Sequence, residues 1–221
     1  MRISKEKRGK LLKKVFFFFY GKKVEKRKEW WYTSFKNWQY QYTIRNTEGG
    51  ATMGYVKWSY SVLEHFCHDV FRAFGFDETQ SKEIEDVLLT ADLFGIESHG
   101  MQRMVRYHKG IEKGTIHPLA KPEVVFETPV SAVIDGHNGM GQLISIYAMK
   151  KAIEKAKTSG IGMVSVRNSN HFGIAGYYAK MASDEGLLGM ACTNSEAIMV
   201  PTFGKKAMLG SNPIAVAMPA E

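Results

Sequence analysis

Residues that staple or break a chain are scarce here: 2 cysteines and 6 prolines in 221 residues. Cys67 and Cys192 lie far apart with no CxxC spacing. That excludes a disulfide scaffold and a zinc ribbon, and fits two thiols in a reducing compartment. No apolar run approaches the ~20 residues of a membrane-spanning helix. The run from Val15 to Tyr20 follows basic residues, as a secretory leader would. It is shorter than the ~7–15 residues of a leader's core, and Lys22, Lys23, Lys26, Arg27 and Lys28 follow it with no small-residue cleavage site. These absences predict a cytoplasmic body without a membrane anchor.

Acidic residues are scarce only at the front. Residues 1–52 hold 14 Lys and Arg against four Glu and no Asp, which exceeds the whole formal net charge of +8. The remainder is slightly acidic, so no nucleic-acid surface is expected across the fold. The front segment mixes its basic residues with Phe16–Phe19, Trp30, Trp31, Tyr32, Trp38, Tyr40 and Tyr42, and no helical or strand period persists in it. It reads as a basic, aromatic-rich extension, disordered or non-native, with Met53 as the true start. The rival reading is a segment that binds single-stranded nucleic acid by stacking and phosphate contact.

Periodicity begins near Ser59. Val62, Leu63, Phe66, Val70, Phe71 and Phe74 recur at helical spacing, and Gly75 suits a C-cap. Asp77 or Thr79 opens a second helix with Ile84, Val87, Leu88, Ala91 and Leu93 as its stripe, ending at Gly95. A third helix is predicted from about Gly100 to Glu112, closed by Gly114. After Pro118 short β-type runs alternate with helical ones. Val124–Phe126 and Ala132–Ile134 read as strands, 142–158 as a helix carrying Ile146, Met149, Ile153 and Ala156, and 161–166 as a strand. Residues 174–185 read as a helix, and 187–192 and 213–218 as strands. The fold class is therefore mixed α/β: a helical part over 53–120, then an α/β part over 121–221. The chain stops just after an apolar strand-like run, which predicts a truncated sheet.

Four clusters carry chemistry. His99, Arg103 and Tyr107 fall at i, i+4 and i+8, one face of a helix, with Ser98 beside them. Imidazole, guanidinium and phenol there suit a small oxyacid, because Arg grips a carboxylate in bidentate fashion. His171 lies in Arg167–Gly173, between a strand and a helix, where α/β sheets place their sites. Its ordinary pKa suits proton transfer near neutrality. Asp135–Gly141 reads GxxGxG rather than GxGxxG and has no acidic residue about 20 positions on, so it is a poor dinucleotide fingerprint. It remains a tight turn or a place where backbone meets ligand. Thr193-Asn194-Ser195, Pro201–Gly204 and Leu209–Pro213 are loops rich in glycine and amide groups, suited to lining a cofactor cleft or to ordinary turns.

In this order, Ser98-His99-Gly100 with Arg103 and Tyr107, Asn168–Gly173, Pro201–Gly204 and Leu209–Pro213 resemble the malate/L-lactate dehydrogenase family. Ureidoglycolate and sulfolactate dehydrogenases and a cyclic-imine carboxylate reductase also belong to it. The resemblance spans about residues 58–221. It implies an oxidoreductase that moves hydride between NAD or NADP and a small 2-hydroxy acid such as malate or lactate, on a cofactor-binding fold that is not of the Rossmann type. His171 would be the acid/base, Ser98, His99, Arg103 and Tyr107 the substrate-binding residues, and Asn194 and Ser195 part of an incomplete cofactor site. It implies a homodimer and no metal. The alternatives are a reductase of cyclic imines or other 2-oxo acids on the same scaffold, or an inactive fragment.

Overall fold

A computed structural model describes residues 58–220 of the protein. The expectations for residues 1–52 lie outside these. The chain divides into two compact units, one ending at Leu119 and the other starting at Ala120.

The first unit is helical. Helix α1 (Tyr60–Phe74) ends at Gly75, whose φ of 107° needs a residue without a Cβ to close the helix in the left-handed form. Helix α2 (Glu78–Leu93) opens with a reciprocal cap. The Asp77 carboxylate accepts the Gln80 N–H at 2.8 Å, and the Gln80 side chain accepts the Asp77 N–H at 3.0 Å. Leu63, Cys67, Val70 and Phe71 of α1 are buried, as are Ile84, Val87, Leu88 and Ala91 of α2. Val62, expected on the buried stripe, faces outward.

The third predicted helix is shorter than its pattern suggested. Two 3₁₀ turns, Glu97–His99 and Met101–Arg103, precede helix α3 (Met104–Glu112). The break falls at Gly100, whose ψ of −149° cannot continue a helix. Phe71 joins α1 to α3 through Tyr107, with ring centroids 6.5 Å apart, and Cys67 Sγ reaches Met104 Sδ at 3.7 Å.

The second unit holds two small sheets. Strands β1 (Glu123–Glu127), β2 (Ser131–Asp135) and β3 (Met163–Arg167) lie in that order, β1 antiparallel and β3 parallel to β2. Helix α4 (Gly141–Ser159) supplies the right crossover length between β2 and β3 and packs Ile144 and Ala148 on Ile134, with Val124 and Val164 alongside. Burial therefore centres on Ile144, Ile146 and Ala148, while Met149, Ile153 and Ala156 of the predicted stripe are half-buried. Lys151 and Lys155 of α4 both reach Glu127 at 2.8 Å, and their hydrogen bonds lower its pKa to about 2. Helix α5 (Ala175–Asp184) packs on the antiparallel pair β4 (Gly189–Cys192) and β5 (Ile214–Ala217). Phe126, Met163, Met190, Ile214 and Val216 point their side chains outward from the strands.

Replacing Asp77 by Ala removes one half of the cap and leaves the Gln80 N–H without its acceptor. Urea denaturation should show a loss of about 1 kcal/mol; a midpoint equal to that of the parent protein would contradict the assignment.

Candidate functional site

Within the first unit, a buried carboxylate shapes the turn that carries Ser98, His99 and Arg103. Asp92 is in the last turn of α2, 1% exposed, and its Oδ2 accepts the Met101 N–H at 2.8 Å. Any Cβ on residue 100 would collide with the same carboxylate, so only glycine lets the turn approach so closely. The turn is closed by local bonds. His99 N donates to Ile96 O at 2.9 Å, Gln102 Nε2 to Glu97 O, and Arg103 Nε to Ser98 O. Ser98 Oγ meets His99 Nδ1 at 2.8 Å. His99 and Arg103 are half-buried and Ser98 is exposed. Tyr107 is 0% exposed, inside the core against Phe71. The structure thus gathers Ser98, His99 and Arg103 on one turn but does not place Tyr107 with them on a single helical stripe, because Gly100 interrupts the helix.

Burial, and then the neighbouring Arg103 charge, push the His99 pKa below its ordinary value. The imidazole is accordingly neutral near pH 7 and acts as a hydrogen-bonding group beside a permanent cation.

His171 sits in the second unit, on the loop between β3 and α5, and is half-buried. Gly173 N–H faces its Nδ1 at 3.4 Å, a long contact that leaves the ring proton of the neutral imidazole on Nε2. The loop is fastened on both sides. Asn170 Nδ2 donates to Asn138 O at 2.9 Å and Gly139 O at 3.0 Å, and Asn138 N donates to Asn168 O at 2.8 Å. A Cβ at Gly141 would collide with the Asn170 and His171 carbonyls, so the start of α4 lies directly against the backbone of the loop. On the far side Phe172 stacks on the buried Tyr178 ring at 5.0 Å, and the Tyr178 hydroxyl donates to Phe172 O. The Asp135–Gly141 segment, a poor nucleotide fingerprint by sequence, is the bed on which the His171 loop lies.

Asn194 and Ser195 follow β4. Ser195 N donates to Asn212 Oδ1 at 2.9 Å, and its Oγ lies 3.3 Å from Ser211 Oγ. Asn194 is exposed and Ser195 half-buried. This stitches the Thr193–Ser195 loop to the Ser211–Asn212 loop. The donor set of uncharged amides and hydroxyls fits ribose and phosphate oxygens, with Asn194 the outward-facing member. Among the described residues no three His, Cys, Asp or Glu side chains group as a metal site, and no helix is long and apolar enough to cross a membrane.

The sequence pattern does not single out Asp92, an acid near the end of a helix with apolar neighbours, and it offers Asp135 only as the first residue of the Asp135–Gly141 turn.

Known proteins resemble this chain over the stretch that holds both clusters. The family described as malate/L-lactate dehydrogenase matches residues 58–221. Malate dehydrogenase of Pyrococcus abyssi is 46% identical over 174 residues, covering 79% of this chain and 48% of the relative. L-sulfolactate dehydrogenase of Methanocaldococcus jannaschii is 46% identical over 149 residues, covering 67% of this chain and 43% of the relative. The solved malate dehydrogenase of Pyrococcus horikoshii OT3 superposes with a TM-score of 0.70 at 48% identity, over 72% of this chain and 46% of its own. The chain spans about half the length of these relatives.

The depressed pKa of His99 can be read directly. Its imidazole resonances should titrate with a midpoint below 6.5, and Arg103→Ala should move the midpoint upward. Because the folded state holds the proton less well than the unfolded chain, this group makes stability fall as pH drops through the window just below 6.5. A midpoint at or above that of a model peptide would refute the arrangement.

Proposed function

The chain belongs to the malate/L-lactate dehydrogenase family, and from that premise we propose that it serves NAD- or NADP-dependent hydride transfer on a small 2-hydroxy acid. The Ser98–Arg103 turn carries the reading: a neutral imidazole and a hydroxyl are held next to a guanidinium whose Nε is already bonded to Ser98 O. That leaves the Nη edge to grip a carboxylate, while His99 and Ser98 offer directional hydrogen bonds to its neighbouring oxygens. Malate and sulfolactate, named for the relatives, share a 2-hydroxy carboxylate core, the portion these residues would bind. Tyr107 would support the turn from the core rather than touch the acid.

A bound nicotinamide cofactor would supply the hydride acceptor and donor for C2, and Asn194 and Ser195 would help to hold it. His171 handles the proton. In oxidation the substrate O–H bond breaks and its proton passes to the imidazole as the C2–H pair leaves; in reduction the imidazolium returns it to the oxo oxygen. Acceptance at Nε2 requires the neutral ring to carry its proton on Nδ1, so the long Gly173 contact is given up when His171 acts as a base. A homodimer of cytoplasmic protein is the assembly we expect.

The test is a spectrophotometric assay of NADH and NADPH oxidation with oxaloacetate, pyruvate and sulfopyruvate. Turnover with at least one is expected; inactivity with all of them sinks the reading for this chain. His171→Ala should lower kcat roughly 10²–10⁴-fold with little change in KM. Arg103→Lys should chiefly raise the KM of the acid, and a KM indifferent to it would remove Arg103 from carboxylate binding.

A further inference from the structure

Asp135 closes β2 with a carboxylate that is nearly inaccessible, at 6% exposure. Its Oδ1 accepts the His137 N–H at 2.9 Å. Its Oδ2 accepts Arg167 Nε–H at 3.0 Å and Asn168 Nδ2–H at 2.8 Å. Arg167 is its partner in the parallel register, and Asn168 is the first residue after β3. The surrounding charges are few. His137 Nδ1 lies 3.5 Å from Oδ1, and His137 Nε2 pairs with Glu123 of β1 at 2.9 Å. Three neighbouring residues hold left-handed backbone: His137 at φ 48°, Asn138 at 56° and Asn168 at 51°. Such conformations persist only where surrounding contacts over-determine them. Here the contacts to His137 and Asn168 both end on one carboxylate.

From this geometry we infer that Asp135 is a positioning residue for proton transfer: its carboxylate fixes Asn168 in the left-handed turn and so sets the path of the loop that presents His171. The inference rests on the assignment of His171 as acid/base. Three donors on one carboxylate give a reason for burying a charge that the hydrophobic layer beneath it would not otherwise favour. The backbone bonds from Gly136 N to Arg167 O and from Asn138 N to Asn168 O run parallel to the carboxylate's contacts. These bonds tie the two loops together, so a change in the carboxylate would reach the His171 backbone without touching its ring. An isosteric amide cannot reproduce the site, because one acceptor atom becomes a donor aimed at other donors.

The experiment compares the 221-residue chain with Asp135→Asn and Asn168→Gly by amide and imidazole NMR, and by kinetics with NADH or NADPH and the 2-oxo acid that turns over best. In Asp135→Asn the amides of residues 168–173 and the Asn170 side-chain signal should shift, and the His171 titration midpoint should move. Signals of the Glu97–Glu112 segment should stay in place. The kcat should fall roughly 10- to 100-fold, with KM held within about threefold. Asn168→Gly tolerates the left-handed backbone and removes a single contact, so it should move the same signals less and keep the fold if the first variant loses it. Loop signals and a His171 midpoint that match the parent in both variants overturn the inference, as does a uniform collapse of signals from both units in both variants. If the parent chain turns over no 2-oxo acid, the functional reading fails, while the loop signals and the His171 titration still decide whether Asp135 positions the loop.

Discussion

The parallel register of β2 and β3 is the constraint on which the second unit depends. It sets Ile134 opposite Val166 and Asp135 opposite Arg167, so the two strands end level and their loops leave from the same end of the sheet. Loops beyond the carboxyl ends of parallel strands are where sheets of this class keep their chemistry. A slip by one residue would turn Asp135 onto the other face and bring Ile134 out from under α4. The apolar packing of Ile134, Ile144 and Ala148 therefore specifies more than stability. It determines which side chain stands at the strand end, and through it the path of the loop beyond.

The first unit solves a related problem without a sheet. Asp92 is buried near the end of α2 and receives the backbone N–H of Met101, with Gly100 pressed against it. In both units an acid inside the hydrophobic layer receives a main-chain donor from an adjacent irregular segment, Met101 N–H at Asp92 and His137 N–H at Asp135, the latter joined by the Arg167 and Asn168 side chains. Main-chain donors are well suited to this, since their direction is fixed by the turn itself and carries no rotamer freedom. A buried carboxylate is costly unless it is fully partnered, so a turn that misfolds would expose that cost at once. This couples the shape of each polar turn to the integrity of the core behind it.

Much of this was legible in the sequence, and the reasons differ by element. The long helices announce themselves because their apolar residues repeat over several turns, and the Asp77–Gln80 cap follows a local rule of spacing. The strands could be located because each is a short β-branched or apolar run between turn residues. The helical face proposed for His99, Arg103 and Tyr107 was less secure. Its 3.6-residue spacing is real, but it runs across Gly100, where tertiary contact with Asp92 decides the backbone. The glycines of Asp135–Gly141 invited a search for a nucleotide, yet Gly141 answers to a neighbouring backbone. Sequence spacing reports what a segment can do alone, and it is silent about which distant loop will lie against it.

The two cysteines differ sharply in access. Cys67 is 0% exposed, and burial pushes its thiol pKa well above the ordinary range, so it is a poor nucleophile. Cys192 is exposed at the end of β4, directly before Thr193 and Asn194. The natural sequence thereby supplies a single-point attachment for a fluorophore or spin label in the folded state, one residue from the loop expected to meet the cofactor. Such a label would report loop motion without any engineered cysteine, and the sheltered thiol would become reactive only when the helical unit opens, giving an internal clock for its unfolding.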